Sequence, residues 1–250
     1  MTLEGSVLFA RTSERGPSIP TRLFERDVVD DRSRSTFKGS APLPEGCTID
    51  LYWLPLGAGG RFVRFNGRVY EAISARLEHR QPLDLYHTAL EVTVPEGRFV
   101  IENCWPVPDD RGAARGVTLE GPVGSRLLGR YRPFRYEIRC WNGGVIADVR
   151  DAVGSPERIS DSEERARRLL ELVSTVPPLR WGRDELALGE MWNSNSVISW
   201  LLTRSGVCSE GVQPPSGGRA PGWATGIRLA RLFGSDVEAR ELRASALSTN

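Results

Sequence analysis

An α+β fold is predicted by two observations. Short segments with the two-residue period of strands fill the first part of the folded region, and segments with a helical period follow them. At 250 residues the chain is also long enough to bury a full core within one domain.

Residues 1–45 are polar and charged and carry neither period, so a mobile arm is expected there, with one short helix or strand around 21–29. The folded domain is expected over 46–235 and a tail over 236–250. It opens on Cys47-Thr48-Ile49-Asp50-Leu51-Tyr52-Trp53-Leu54, which alternates as a strand does. Gly57-Ala58-Gly59-Gly60 follows and reads as a turn, since neither the G-K-[ST] ending nor the GxGxxG spacing of a phosphate loop is present. Asn66-Gly67 then joins two short alternating pieces as a hairpin turn. Leu85–Val94 and Arg98–Asn103 predict a second hairpin around Pro95-Glu96-Gly97, and Phe134–Trp141 and Val145–Val149 two further strands.

Helices come afterwards. Ser160-Asp161-Ser162-Glu163 fits a capping box, and Leu169, Leu170, Leu172 and Val173 supply the apolar face behind it, up to Pro177-Pro178. The next helix carries Ser194 and runs to Arg204, with Gly206 as its stop. A Pro/Gly stretch, Pro214-Pro215-Ser216-Gly217-Gly218, leads to Gly222-Trp223 and a last helical segment. No internal repeat is present.

Composition excludes several function classes. With 40% hydrophobic residues, 26% charged residues and a formal net charge of +1, no strong field draws the whole chain to nucleic acid or a membrane. Lys38 is the only lysine, an arginine habit expected of a GC-rich bacterial genome. Cys47, Cys104, Cys140 and Cys208 lack metal spacing and only His79 and His87 accompany them, so neither a metal nor another cofactor nor a disulfide framework is expected. Met1-Thr2-Leu3-Glu4-Gly5 lacks the basic start of a signal peptide, and no apolar run approaches the ~20 residues of a membrane span. The expected address is the cytoplasm.

Two pieces carry chemistry. Leu85-Tyr86-His87-Thr88-Ala89-Leu90-Glu91-Val92 puts a histidine on a strand, and Trp192-Asn193-Ser194-Asn195-Ser196-Val197 puts a hydroxyl nucleophile at a helix start. Together with the strand Ile49–Gly57 and the exit Gly218-Arg219-Ala220-Pro221-Gly222-Trp223, they resemble the PPPDE superfamily, which includes desumoylating isopeptidases. About forty residues spread over 48–223 carry the resemblance. It implies a permuted papain-like (NlpC/P60-like) domain, an antiparallel sheet packed against helices, with His87 as base and Ser194 where the family has its cysteine nucleophile.

A serine must lose its proton during attack and needs a base in contact, whereas a thiol ionises readily. Ser–His pairs use a third residue to hold the imidazole. Turn length decides which residue is available. A three-residue turn at Pro95-Glu96-Gly97 puts Asn103 and Trp105 on the His87 face; a two-residue turn at Glu96-Gly97 puts Glu102 and Cys104 there. Glu102 would orient the ring, and Cys104 would be an alternative nucleophile. Amides and side chains at the helix start, Asn193 and Asn195 among them, could support an oxyanion, and Tyr86 and Trp192 could line the cleft.

Two functions follow. One is a Ser/His hydrolase or acyl-transfer enzyme acting on an amide, ester or thioester of a peptide, protein or small acyl substrate. The other is a catalytically retired module binding peptide or protein in the former cleft. A third reading is an unrelated α+β domain in which Asn193-Ser194-Asn195-Ser196 is a helix cap only. His79, in a charged run, is expected at the surface, and the tryptophans Trp53, Trp105, Trp141, Trp192, Trp200 and Trp223 mainly in the core.

Overall fold

The computed structural model describes residues 46–56, 71, 75–76, 79–106, 116–146, 148–215 and 217–232. The arm expected over 1–45, the hairpin at Asn66-Gly67, the Gly57–Gly60 turn and the tail over 236–250 lie outside them. Within the described residues the architecture is α+β: a seven-stranded sheet and three α-helices. The strands are β1 (Thr48–Pro55), β2 (Asp84–Val94), β3 (Gly97–Cys104), β4 (Val117–Pro122), β5 (Arg135–Asn142), β6 (Glu157–Ser160) and the short β7 (Gly218–Arg219). The helices are α1 (Glu163–Leu172), α2 (Ser194–Arg204) and α3 (Trp223–Leu232). Sheet order is β4-β5-β3-β2-β1-β6, antiparallel throughout, with β7 joining β2 in parallel.

Alternation along the strands sorts their side chains onto two faces. Ile49, Leu51 and Trp53 of β1, Tyr86, Leu90 and Val92 of β2, and Phe99 and Ile101 of β3 pack in one core with Leu169 of α1, Ile198 and Leu201 of α2, and Leu229 of α3. Leu54, Ala89, Val100 and Ile146 form a smaller cluster on the reverse face. The β1–β2 register runs unbroken from Thr48↔Thr93 to Pro55↔Tyr86, so the two-residue period holds throughout.

Helix α2 is buried on nearly all sides, because the sheet covers one flank and α3 another. α3 approaches so closely that a Cβ on Gly226 would stand 2.1 Å from both Ser196 O and Ser199 Oγ. Only glycine fits that crossing. Ser196 and Ser199 reinforce it, their hydroxyls donating to Gly222 O and Trp223 O at 2.8 Å each.

Several expectations are corrected. The hairpin turn is the pair Pro95-Glu96, since Val94 already pairs with Gly97. The first helix is capped by Ser162, whose hydroxyl accepts from Arg165 N. Ser160 is instead the last residue of β6 and accepts from Ser162 N at 3.2 Å. Val145–Val149 is not a strand: Asp148 adopts φ 56°, and Val149–Asp151 forms a 3-10 turn. Strands β4 and β6 had no counterpart in the sequence reading. Of the six tryptophans named, Trp53, Trp192 and Trp200 are fully buried, whereas Trp105 is 49% exposed. His79 is exposed, and the four cysteines are free thiols.

Candidate functional site

The sheet splits beside α2. Strand β2 pairs with β3 from Val94↔Gly97 to Leu90↔Ile101, and its first residues, Asp84 and Leu85, pair instead with β7. Between these ladders the Tyr86 carbonyl is taken by a side chain, Asn195 Nδ2, at 2.9 Å. The same amide donates to Pro221 O at 2.9 Å, and Asn195 Oδ1 accepts from Thr88 Oγ1 at 3.0 Å. Asn195 thus closes the split like a missing strand residue, and it locks the histidine-bearing strand, the helix start and the Pro221 exit together. The two motifs read from the sequence do meet, but through Thr88 and Asn195, the chain neighbours of His87 and Ser194.

The first turn of α2 is a capping box. Asn193 Oδ1 accepts from Ser196 N and Ser196 Oγ accepts from Asn193 N, both at 3.2 Å. Asn193 Nδ2 donates to Pro221 O at 2.8 Å. Asn193 and Asn195, expected as oxyanion support, are therefore occupied in holding the backbone, and their side chains do not point donors at a reacting atom. Ser194 is the first residue of the helix and is 4% exposed.

His87 lies elsewhere. Its neighbours Tyr86 and Thr88 face α2, so alternation turns its side chain to the reverse face, where its cross-strand partner Leu54 also points. No hydrogen bond joins His87 to Ser194 among the described residues. Burial lowers the imidazole pKa to about 4, with Asp148 opposing the shift. The ring is neutral at pH 7 and a weak proton acceptor. The expected Ser194–His87 pair is not formed in this arrangement, because adjacent strand positions serve opposite faces.

The third-residue candidates separate in the same way. Phe99 and Ile101 face the helices, so Asn103 does too, while Glu102 and Cys104 share the reverse face with Val100 and His87. This is the parity of a two-residue turn, so Asn103 does not orient the His87 ring. Asn103 is 7% exposed, and among the described residues neither its Nδ2 nor its Oδ1 has a hydrogen-bond partner. The β2–β3 ladder ends at Leu90↔Ile101, and β3 continues beside β5, where Asn103 pairs with Ile138. Tyr86 and Trp192, expected to line a cleft, are buried at 7% and 1% exposure. Tyr86 packs edge-on against Trp53 at 6.5 Å between ring centroids. The Tyr136 phenol, which burial pushes far up, donates to Leu179 O at 2.8 Å.

Sequence reasoning missed the roles of Thr88 and Asn103. A threonine beside the strand histidine and an asparagine beside the helix serine were the signals for the first; only the turn length could have revealed the second. No family model matches the chain, and no curated protein and no solved structure matches it.

Proposed function

We propose that the chain is a permuted papain-like module that binds an extended segment of peptide or protein beside the first turn of α2, without using Ser194 as a nucleophile. The observation that carries this reading is Asn103: a carboxamide nine-tenths buried on the helix-facing side of β3, with neither polar atom paired among the described residues. A buried amide in that condition is costly and calls for a reason. Its Nδ2 donates and its Oδ1 accepts, so it matches the C=O and N–H of one peptide unit.

A selection of immobilised random hexapeptides tests it. Peptides enriched by the wild type are expected to be retained by Ser194→Ala and lost by Asn103→Leu, with the fold unchanged by circular dichroism. No enrichment by the wild type, or equal enrichment by Asn103→Leu, overturns the reading.

A second reading, the Ser194/His87 hydrolase, is favoured by one observation: the Thr88–Asn195 bond brings the two motifs into contact. It requires His87 to leave the reverse face and reach the Ser194 hydroxyl. Labelling by a fluorophosphonate that is lost in both Ser194→Ala and His87→Gln supports this second reading and sinks the first.

A further inference from the structure

Strand β3 ends at Cys104, and the next residue, Trp105, leaves 49% of its surface in water. Its place is nevertheless fixed. The Trp105 carbonyl accepts from Arg139 Nη2 at 3.3 Å, and Pro106 behind it favours an extended backbone. The indole meets Trp181 edge to face, with 6.1 Å between ring centroids and 71° between planes. Trp181 in turn lies 5.6 Å from the ring of Tyr136, which is wholly buried in the core between sheet and helices. This chain of rings puts the Trp105 indole on the helix-facing side of the sheet, the side that Asn103 also occupies.

Trp181 also touches the segment that leads into α2. Gly182 N donates to Trp192 O at 2.8 Å and Trp192 N to Arg183 O at 2.9 Å, two residues ahead of Ser194. The carboxylates that follow Trp181 are already engaged. Asp184 accepts from Leu188 N and Gly189 N at 2.7 and 2.8 Å, and Glu185 is held by Arg126 at 3.1 Å and by Arg180 at 2.6 Å. A cationic ligand would find no ready counter-ion in either, so the half-exposed indole suits an uncharged ring.

We propose that Trp105 is the side-chain anchor of the peptide-binding site. A ligand whose peptide unit pairs with Asn103 sets an aromatic side chain, two residues further on, against the Trp105 indole. The inference rests on the peptide-binding reading, since it takes Asn103 as the contact to the ligand backbone, and it adds the class of side chain that the site selects. Spacing supports it. Residues two apart on a strand stand roughly 6.5–7 Å apart, and an extended ligand beside β3 advances by the same amount. An aromatic ring can meet Trp105 edge to face, as Trp181 does, and cover the large apolar area left in water; an aliphatic side chain lacks the ring quadrupole that favours this contact.

Sequencing the hexapeptides enriched by the wild-type chain, then measuring the best of them by fluorescence anisotropy, tests it. One position is expected to be held by Phe, Tyr or Trp. Trp105→Ala should weaken that peptide by roughly tenfold, and Trp105→Phe should restore most of the affinity. Exchanging the peptide's aromatic residue for alanine should cost a similar factor against the wild type and nothing further against Trp105→Ala. That exchange leaves the protein untouched, so it reads the contact even if Trp105→Ala fails to fold. Peptides that depend on Asn103 but show no aromatic position, or prefer proline, an aliphatic or a basic residue there, overturn the anchor and leave the peptide-binding reading standing. Equal affinity for the peptide and its alanine exchange does the same. No enrichment by the wild type overturns both.

Discussion

Replacing Asn195 by alanine removes three buried hydrogen bonds at once, and the loss can be worked through group by group. Pro221 O keeps the Asn193 amide at 2.8 Å, so it is not orphaned. The Thr88 hydroxyl, in a residue 1% exposed, and the Tyr86 carbonyl both lose the partner described above. At about 1–3 kcal/mol for each unsatisfied buried group, Asn195→Ala should cost about 2–6 kcal/mol. Thr88→Val removes only the hydroxyl and leaves Asn195 Oδ1 unpaired, at about 1–2 kcal/mol. In the double variant only the Tyr86 carbonyl remains orphaned, so the two losses should fall short of adding by about 1 kcal/mol or more. Asn195→Asp is a sharper probe. A carboxylate can accept from Thr88 but faces two carbonyl oxygens with no proton to offer, so this variant should recover stability as pH falls and the carboxyl protonates. Urea denaturation followed by tryptophan fluorescence at 25 °C gives all these values. An Asn195→Ala loss below about 1 kcal/mol, or strict additivity with Thr88→Val, would refute the role of Asn195 as the closure of the sheet split.

Three further outcomes follow from the geometry. Because the folded pKa of His87 is about 4, against an ordinary 6.5, the unfolded chain takes up a proton between those values that the folded chain refuses. Stability should therefore fall as pH drops from 7 to 4, and His87→Gln should remove about 2–3 kcal/mol of that fall; urea midpoints that decline equally in both proteins would contradict it. Asn103→Leu should raise stability by about 1–2 kcal/mol, because an unpaired buried amide gives way to an apolar group; a loss of that size would assign Asn103 a structural partner instead. Gly226→Ala should cost about 1–3 kcal/mol or more, since the added methyl overlaps backbone oxygen at the α2–α3 crossing, and an unchanged thermal midpoint would disprove that contact.

The parts legible in the sequence were those with a strong period. β1, β2, β3 and β5 bury alternating side chains on at least one face, and their patterns are visible without coordinates. β4 and β6 escaped because they are the two edges of the sheet. Their sequences, Val117–Pro122 and Glu157–Ser160, hold proline, glycine or charged residues that suit an edge and obscure alternation. Val145 and Ile146 looked like a strand, but only Ile146 is drawn into the reverse-face cluster, and Asp148 breaks the extension. The two segments singled out in the sequence do touch, through Thr88 and Asn195. His87 and Ser194 lie on adjoining elements, yet strand parity hands contact with the helix to Thr88, and the capping chemistry of Asn193 occupies the amide of Ser196. Turn length set the parity of Asn103, and a single residue of slip there exchanges the two faces. No local pattern fixes that.

The central claim, that the helix start is a binding and capping structure without a working nucleophile, is tested most directly by intact-protein mass spectrometry after exposure to a fluorophosphonate at neutral pH. The account predicts no adduct on Ser194 under conditions that fully label a Ser–His hydrolase. An adduct mapped to Ser194 that disappears in His87→Gln would contradict it.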